Sequence, residues 1–316
     1  MLPLNSNTLS NSNALKPSNS HNYMVKVSVI ITAFKEPKTI GKAIQAILKQ
    51  LSKNDELLVV APDKETLDVA KKISSKEKRI TLIQDDGHGK PAAMNLATKK
   101  SKGDILIWTD GDIYISEKSI SELLKPFTNT IVGAVTGRPI SIDSQNTKYG
   151  FWGHILSEVA HERRLQAMQT SQRIFCSGYL FAIKKSLMPK LPEELLSEDG
   201  YISHIVYQKK YKIAYAFKAN AFITYPKNFS DWIKQKRRSV GGYNQNYKIL
   251  GVKIRSFTAE SKNFWQLFKY IKLPKHLFWI LSLFIARVYL WMIIYRDINL
   301  KNKSREELWV RVDSTK

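Results

Sequence analysis

Apolar residues in the first 110 positions alternate between two periods. Val27-Ser28-Val29-Ile30-Ile31-Thr32-Ala33 is a continuous run rich in β-branched residues and predicts a buried strand, ended by a turn at Lys35-Glu36-Pro37. From Thr39 to Gln50 the spacing changes to Ile40, Ala43, Ile44, Ile47 and Leu48, which is one face of a helix. The same exchange repeats: Glu56–Ala61 as strand, Glu65–Ile73 as helix, Ile80–Ile83 as strand, Pro91–Lys100 as helix. A fourth strand, Asp104–Thr109, ends on Asp110-Gly111-Asp112. Strands alternating with helices predict βαβ units and a doubly wound α/β fold, its sheet mainly parallel with helices on both faces.

Residues 131–228 are less regular. Ile131–Thr136 reads as a strand, and Tyr149–Met168 as a helix carrying many charges and histidines. Cys176–Ile183 is a glycine-containing approach into another strand, and residues 195–200 lead into a helix through about Gln208. Beyond residue 230, Trp232–Arg255 is strongly basic. Asn263–Leu273 then interleaves aromatics with Lys269 and Lys272, the pattern of an interfacial amphipathic helix. His276–Tyr295 is a 20-residue apolar stretch, about the span of a hydrocarbon core. Arg287 near its centre is costly inside a bilayer, so a spanning helix and an in-plane helix both remain open.

The chain has 316 residues, 43% hydrophobic and 24% charged, enough for a large packed core. Fifty Lys and Arg against 27 Asp and Glu give a net charge of +23, which calls for an anionic partner: nucleic acid, acidic headgroups or a phosphorylated substrate. A single cysteine, Cys176, excludes an internal disulfide and fits a reducing compartment. Residues 1–23 are rich in Asn and Ser, lack the apolar core of a secretory signal, and are expected to form a disordered tail. Residues 24–255 are then expected to form the main folded domain, and 256–316 the membrane-associating helices and basic tail.

Asp110-Gly111-Asp112 carries the most chemistry. It sits at the carboxyl end of a buried strand, the edge of an open α/β sheet where ligands bind. Two carboxylates there suit a hard divalent cation that keeps positions open for phosphate. An acidic turn with glycine chosen for its backbone is the plainer alternative. His88, His154, His161 and His204 match no standard zinc spacing and read as ordinary histidines.

Taken together, Val27–Ile44, Gly89–Ser116, Cys176–Ile183, Ser197-Glu198-Asp199-Gly200 and Gln235-Lys236-Arg237-Arg238-Ser239 resemble family 2 of the glycosyltransferases in order and character, over roughly residues 25–245. The resemblance implies a GT-A (Rossmann-like) fold, a UDP- or GDP-sugar donor, Mg²⁺ or Mn²⁺, and an inverting displacement. It implies Asp112 as metal ligand, with Asp110 on the ribose or a metal-bound water. Asp199 would be the general base, next to Glu198, although an acid there also suits a helix start. Arg238 would bind donor phosphate and Gln235 the acceptor; Ser239 replaces the family's tryptophan, which puts processivity in doubt. Ala33, Glu36, Asp63 and Lys90 fall where the family contacts the donor, Asp63 by a departure from the usual acidic motif. Gly178 and Tyr179 fall where it receives the acceptor.

The expected protein is therefore a membrane-associated glycosyltransferase with its catalytic domain in the cytoplasm, acting on a glycan or lipid-linked acceptor. A processive polysaccharide synthase is the enzymatic alternative. A basic nucleic-acid-binding protein is the non-enzymatic one, disfavoured because no binding motif accompanies the charge.

Overall fold

The computed structural model describes residues 25–251, 264–297 and 312–315. The expected tail at 1–23, Lys253, Arg255 and the basic segment 298–311 lie outside the described residues. Eight strands form one sheet: β1 (Val27–Thr32), β2 (Glu56–Ala61), β3 (Ile80–Gln84), β4 (Ile105–Asp110), β5 (Tyr114–Ile115), β6 (Val132–Ser141), β7 (Leu180–Lys184) and β8 (Lys212–Ile223). The helices are α1 (Ile40–Leu48), α2 (Lys64–Ser74), α3 (Lys90–Lys100), α4 (Ser119–Leu124), α5 (Lys148–Gln169), α6 (Glu198–Gln208), α7 (Phe229–Leu250) and α8 (Pro274–Tyr295).

The sheet order is β3-β2-β1-β4-β7-β6-β8-β5. Every residue of β1 and β2 is buried, as expected of strands covered on both faces. Alternate side chains of the same strands feed two cores. Val29 and Ile31 pack with Ile40, Ile44 and Ile47 of α1 on one face. Ile30, Leu58, Leu106 and Trp108 pack with Met94 of α3 and Ile202 of α6 on the other.

The first half of the sheet is parallel, with β1 between β2 and β4. The second half is mixed: β7 runs antiparallel to both β4 and β6, while β6 pairs with β8 in parallel. "Mainly parallel" thus describes the β3-β2-β1-β4 half of the sheet rather than all of it. The long strand β8, like the short β5 and α4, was not read from the sequence. Its Ile213 and Tyr215 enter one core and Ala216, Ala219, Ala221 and Ile223 the other, so the period of two breaks at the register shift against β6, and Lys212, Lys218 and Asn220 dilute the apolar signal.

The chain moves outward through β1, β2 and β3, then returns to place β4 on the other side of β1. That reversal is a topological switch point, where adjacent connections leave in opposite directions and open a crevice at the strands' carboxyl ends. Thr32 and Asp110, the last residues of β1 and β4, are register partners there.

A third core joins the C-terminal part to this domain. Ile280, Leu283, Leu290 and Ile294 of α8 pack on Phe151, Trp152 and Ile155 of α5 and on Trp232 and Val240 of α7. The Trp152 indole N–H donates to the Trp279 carbonyl at 2.8 Å, and Arg237 of α7 pairs with the buried Asp297 just beyond α8. Residues Phe264–Tyr270, expected as part of an amphipathic helix, form a 3-10 turn instead. Leu267 is their anchor in the core, whereas Trp265 is 78% exposed. A proline at the first turn of α8 suits a helix start and separates the two segments.

Candidate functional site

At the switch point lies a cavity of about 800 Å³. It gathers most of the residues that the sequence marked. Ala33, Glu36, Lys90, Asp110, Asp112, Gly178, Tyr179, Glu198, Asp199, Gln235 and Arg238 all line it. They come from the β1 loop, α3, the β4 edge, the β7 approach, α6 and α7, segments separated by up to two hundred residues.

Each group is held by local structure. Gly111 is required by close approach: a Cβ there would collide with the Glu36 carboxylate and crowd Ala33. Asp110 Oδ1 accepts from Thr32 Oγ1 at 2.9 Å and pairs with Lys90 Nζ at 2.7 Å. Gly89, at φ 98°, gives the chain the backbone turn that brings Lys90 onto the first position of α3. From there the ammonium also reaches Glu198 Oε1 at 3.0 Å. Burial pulls the Lys90 pKa down, but Asp110 and Glu198 together outweigh it, so the pKa is raised and the ammonium stays charged.

Asp199 lies in the first turn of α6 and is fixed by three donors. Ser197 Oγ, at 2.6 Å, and the Gly200 amide, at 2.8 Å, both reach Oδ1; the Gly178 amide reaches Oδ2 at 3.0 Å. The N-cap position belongs to Ser197, which makes no side-chain cap bond, so Asp199 is not the simple N-cap that its sequence context allowed. Along α7, Gln235, Lys236, Arg238 and Ser239 line the cavity, while Arg237 turns away to Asp297.

Asp63 is the exception. Its Oδ1 accepts from the Thr66 amide at 3.0 Å and from the Thr66 hydroxyl at 2.5 Å, capping α2. Its Oδ2 accepts from the Lys35 amide at 2.7 Å. Asp63 is thus held by the fold and is absent from the cavity lining, where Pro62 and Asp85 stand instead. Asp63 caps α2 and pins the loop after β1, because a β-strand followed directly by a helix needs an N-cap at that point.

Of the remaining candidates, His88 and Cys176 also line the cavity. Cys176 is buried, and burial pushes its thiol up to about 12, which removes it as a nucleophile. His161 Nδ1 is 2.8 Å from the Tyr215 hydroxyl, and His154 Nε2 is 2.6 Å from the Asp143 carbonyl. Among the described residues no group of three or more His, Cys, Asp or Glu side chains is arranged to hold a metal on its own. The sequence reading gave no site role to Arg163, Arg164 or Arg287, which line the same cavity from α5 and α8. Only the unexplained arginine within an apolar stretch hinted at them.

Residues 28–191 match the family model for Glycosyl transferase family 2. The chain is 24% identical over 210 residues to glycosyltransferase GlyA of Streptococcus pneumoniae, covering 61% of this chain and 30% of that protein. It is 25% identical over 224 residues to the O-antigen chain rhamnosyltransferase RfbN of Salmonella typhimurium, covering 65% and 68% respectively. The chain therefore spans less than a third of GlyA's length.

Among solved structures, the mannosyltransferase PcManGT from Pyrobaculum calidifontis, in complex with GDP-Man and Mn²⁺, aligns at a TM-score of 0.58 and 18% identity over 85% of this chain and 70% of that one. A glucosyl-3-phosphoglycerate synthase from Mycobacterium tuberculosis, bound to Mn²⁺, UDP and its product, aligns at 0.51 and 16% identity over 72% and 81%. At that identity the two structures establish the shared GT-A fold. With more than half of its length matched to the family, and with that fold, this chain belongs to glycosyl transferase family 2.

Proposed function

We propose that this glycosyltransferase moves a sugar, with inversion, from a UDP- or GDP-sugar to a hydroxyl or phosphate on a lipid-linked or cell-envelope glycan. One observation carries the reading: Asp110-Asp112 and Glu198-Asp199 face a single cavity at the switch point. The relatives add weight, since RfbN is by name an O-antigen rhamnosyltransferase and PcManGT holds GDP-Man with Mn²⁺.

Asp112 and Asp110 would hold the divalent cation. Their chemistry fits a hard ion: two carboxylates on one turn, a partial oxygen set that a diphosphate and water would complete. When bound, such an ion offsets the charge that grows on the departing diphosphate. Arg238 and Lys90 are the protein's own cations for those oxygens.

Asp199 is the candidate base. Each carboxylate oxygen offers two lone pairs. Oδ1 receives two donors and Oδ2 one, so among the described residues one site on Oδ2 is left for an acceptor proton. The acceptor oxygen bonds to the anomeric carbon, the bond to the diphosphate breaks with its electron pair on the leaving group, and the proton passes to Asp199. A phosphate acceptor, already anionic, would bypass that last step.

We read α8 as lying in the plane of a membrane surface. Its buried stripe, from His276 to Ile294, packs along nearly its whole length on the charged helices α5 and α7. A perpendicular span would carry those charges into hydrocarbon, at several kcal/mol each. The opposite face exposes Phe278, Ile285, Met292 and Tyr295, each 59–69% accessible, and suits shallow immersion.

Incubating the purified protein with a panel of nucleotide sugars and measuring nucleotide release tests the central reading. One or a few UDP- or GDP-sugars should be turned over in the presence of Mn²⁺. No release from any donor, with lipid-linked acceptors supplied, would overturn it.

A further inference from the structure

Asp199 is reached through a stretch with no regular structure of its own. Between the 3-10 turn Lys185–Leu187 and the start of α6 at Glu198, residues 188–197 form neither helix nor strand. A segment without repeating backbone bonds takes its position from the groups that meet it. Side-chain amides do so at both ends. Asn95 of α3 holds Leu191 with both amide atoms: Nδ2 donates to the Leu191 carbonyl and Oδ1 accepts from the Leu191 amide, each at 2.8 Å. Gln245 of α7 does the same nearer α6, its Nε2 donating to the Glu194 carbonyl at 2.7 Å and its Oε1 accepting from the Leu196 amide at 2.9 Å. Its neighbour Asn246, fully buried, donates from Nδ2 to the Ser197 carbonyl at 3.0 Å.

The contacts continue from there to the carboxylate. Ser197 occupies the N-cap position of α6 without a side-chain cap bond; its hydroxyl donates to Asp199 Oδ1 at 2.6 Å instead. Where Ser197 sits therefore decides where Oδ1 is held. The approach of α7 is close: a Cβ on Gly242 would stand 2.5 Å from Ser197 Cβ and 2.9 Å from its amide nitrogen. Asp199 Oδ2 is tied separately, to the Gly178 amide at 3.0 Å. Two turns before Gln245, the same helix carries Arg238 in the cavity. One helix thus sets the distance between a donor-side cation and the candidate base.

We propose that Gln245 and Asn246 are positioning residues for Asp199. Neither lines the cavity. They hold residues 194–197 so that the carboxylate meets the acceptor oxygen at the distance fixed by α7. The inference rests on the reading of Asp199 as the base and adds the residues that aim it. A displaced carboxylate costs rate rather than donor affinity, since a shift of about 1 Å in a reacting group can lower turnover about a hundredfold. Asp112 and Arg238 keep their places meanwhile.

Gln245→Leu in the full-length chain tests this with two readouts. Hydrogen–deuterium exchange of the Gly178 amide reports where Asp199 Oδ2 sits and needs neither donor nor acceptor. It should quicken at least fivefold, although Gln245 makes no bond to Gly178. Nucleotide release is then followed from UDP-glucose or GDP-mannose, whichever the wild type consumes with Mn²⁺, with water as the acceptor. Its kcat should fall about tenfold, while donor KM and the affinity for UDP or GDP move less than twofold. Gln245→Glu keeps an acceptor for the Leu196 amide and should recover part of both losses. Retained nucleotide affinity also shows that each variant is folded.

Unchanged exchange at Gly178 overturns the proposal whatever the turnover. Faster exchange with an unchanged kcat would make the clamp purely structural and overturn it as well. An equal loss of kcat and nucleotide affinity would assign Gln245 to the seat of Arg238 and sink its link to Asp199. Should the wild type consume neither sugar nucleotide, the transferase reading loses its support, and the exchange of Gly178 still decides whether Gln245 places Asp199.

Discussion

The Lys90 ammonium lies 2.7 Å from the Asp110 carboxylate, and 3.0 Å on its other side is Glu198. One cation thereby ties the end of β4 to the start of α6, the two segments that bring the metal-ligand and base candidates into one cavity. The contact joins residues far apart in the sequence, and the ammonium between the two carboxylates offsets their mutual repulsion.

Lys90→Met should therefore lower kcat/KM about ten- to a hundredfold, the loss of a charged hydrogen bond of ~1.5–3 kcal/mol. Steady-state kinetics on the identified donor, with a thermal melt as control, checks this. An unchanged kcat/KM would make the bridge purely structural.

Asp199→Asn should keep the fold, because the amide oxygen can still accept from Ser197 and Gly200. Activity on a hydroxyl acceptor should drop by about 10²–10⁴-fold, the usual contribution of a positioned base. Full activity on a phosphate acceptor together with that loss would show that both acceptor types are used. Full activity on every acceptor removes Asp199 from the chemistry.

Chelation should abolish turnover, and Asp112→Ala should weaken donor binding by about tenfold or more when Mn²⁺ is present, since a carboxylate in direct contact with a divalent ion is among the strongest local terms. Donor binding measured with and without Mn²⁺ reads this directly: the variant should lose most of the metal-dependent gain.

Asp63→Asn should affect stability more than catalysis. Burial pushes the Asp63 carboxyl up, but the Thr66 hydroxyl and the Lys35 and Thr66 amides outweigh it and hold it below 3.8. A carboxyl with a depressed folded pKa stabilises above its unfolded value and loses that contribution as pH falls through the folded one. Denaturation of both proteins should thus show the largest gap near neutral pH, shrinking below pH about 4. A gap that widened in acid would contradict the cap assignment.

Outward-facing changes on α8, such as Phe278→Glu with Ile285→Glu, should abolish flotation with anionic vesicles and leave the fold intact. Ile280→Glu, on the buried stripe, should destabilise the protein itself, because that carboxylate would enter the third core. Extraction at alkaline pH should release the wild type from membranes. Retention under those conditions would favour a span.

The first helix was legible from its 3.6-residue apolar spacing, and β1, β2 and β4 from continuous apolar runs, because strands covered on both faces leave little choice of residue. The partly exposed β3 showed only a short run. The acidic turn after β4 was legible for the same reason: once the strand is placed, its last residue must lie at the sheet's ligand-bearing edge. β8 was not, since its polar residues break the run, and its partner β6 is more than seventy residues away in the chain.

Residue type and order thus determined the fold family, the acidic edge, the place of Asp199 and the existence of an apolar C-terminal helix. Tertiary structure alone decided that Asp63 caps a helix, that Lys90 bridges two acids, and that Arg287 joins the cavity. Those outcomes depend on which of several chemically possible partners comes within 3 Å. Local periodicity does not carry that distance; it is set when strands reverse at the switch point and α8 packs back across α5 and α7.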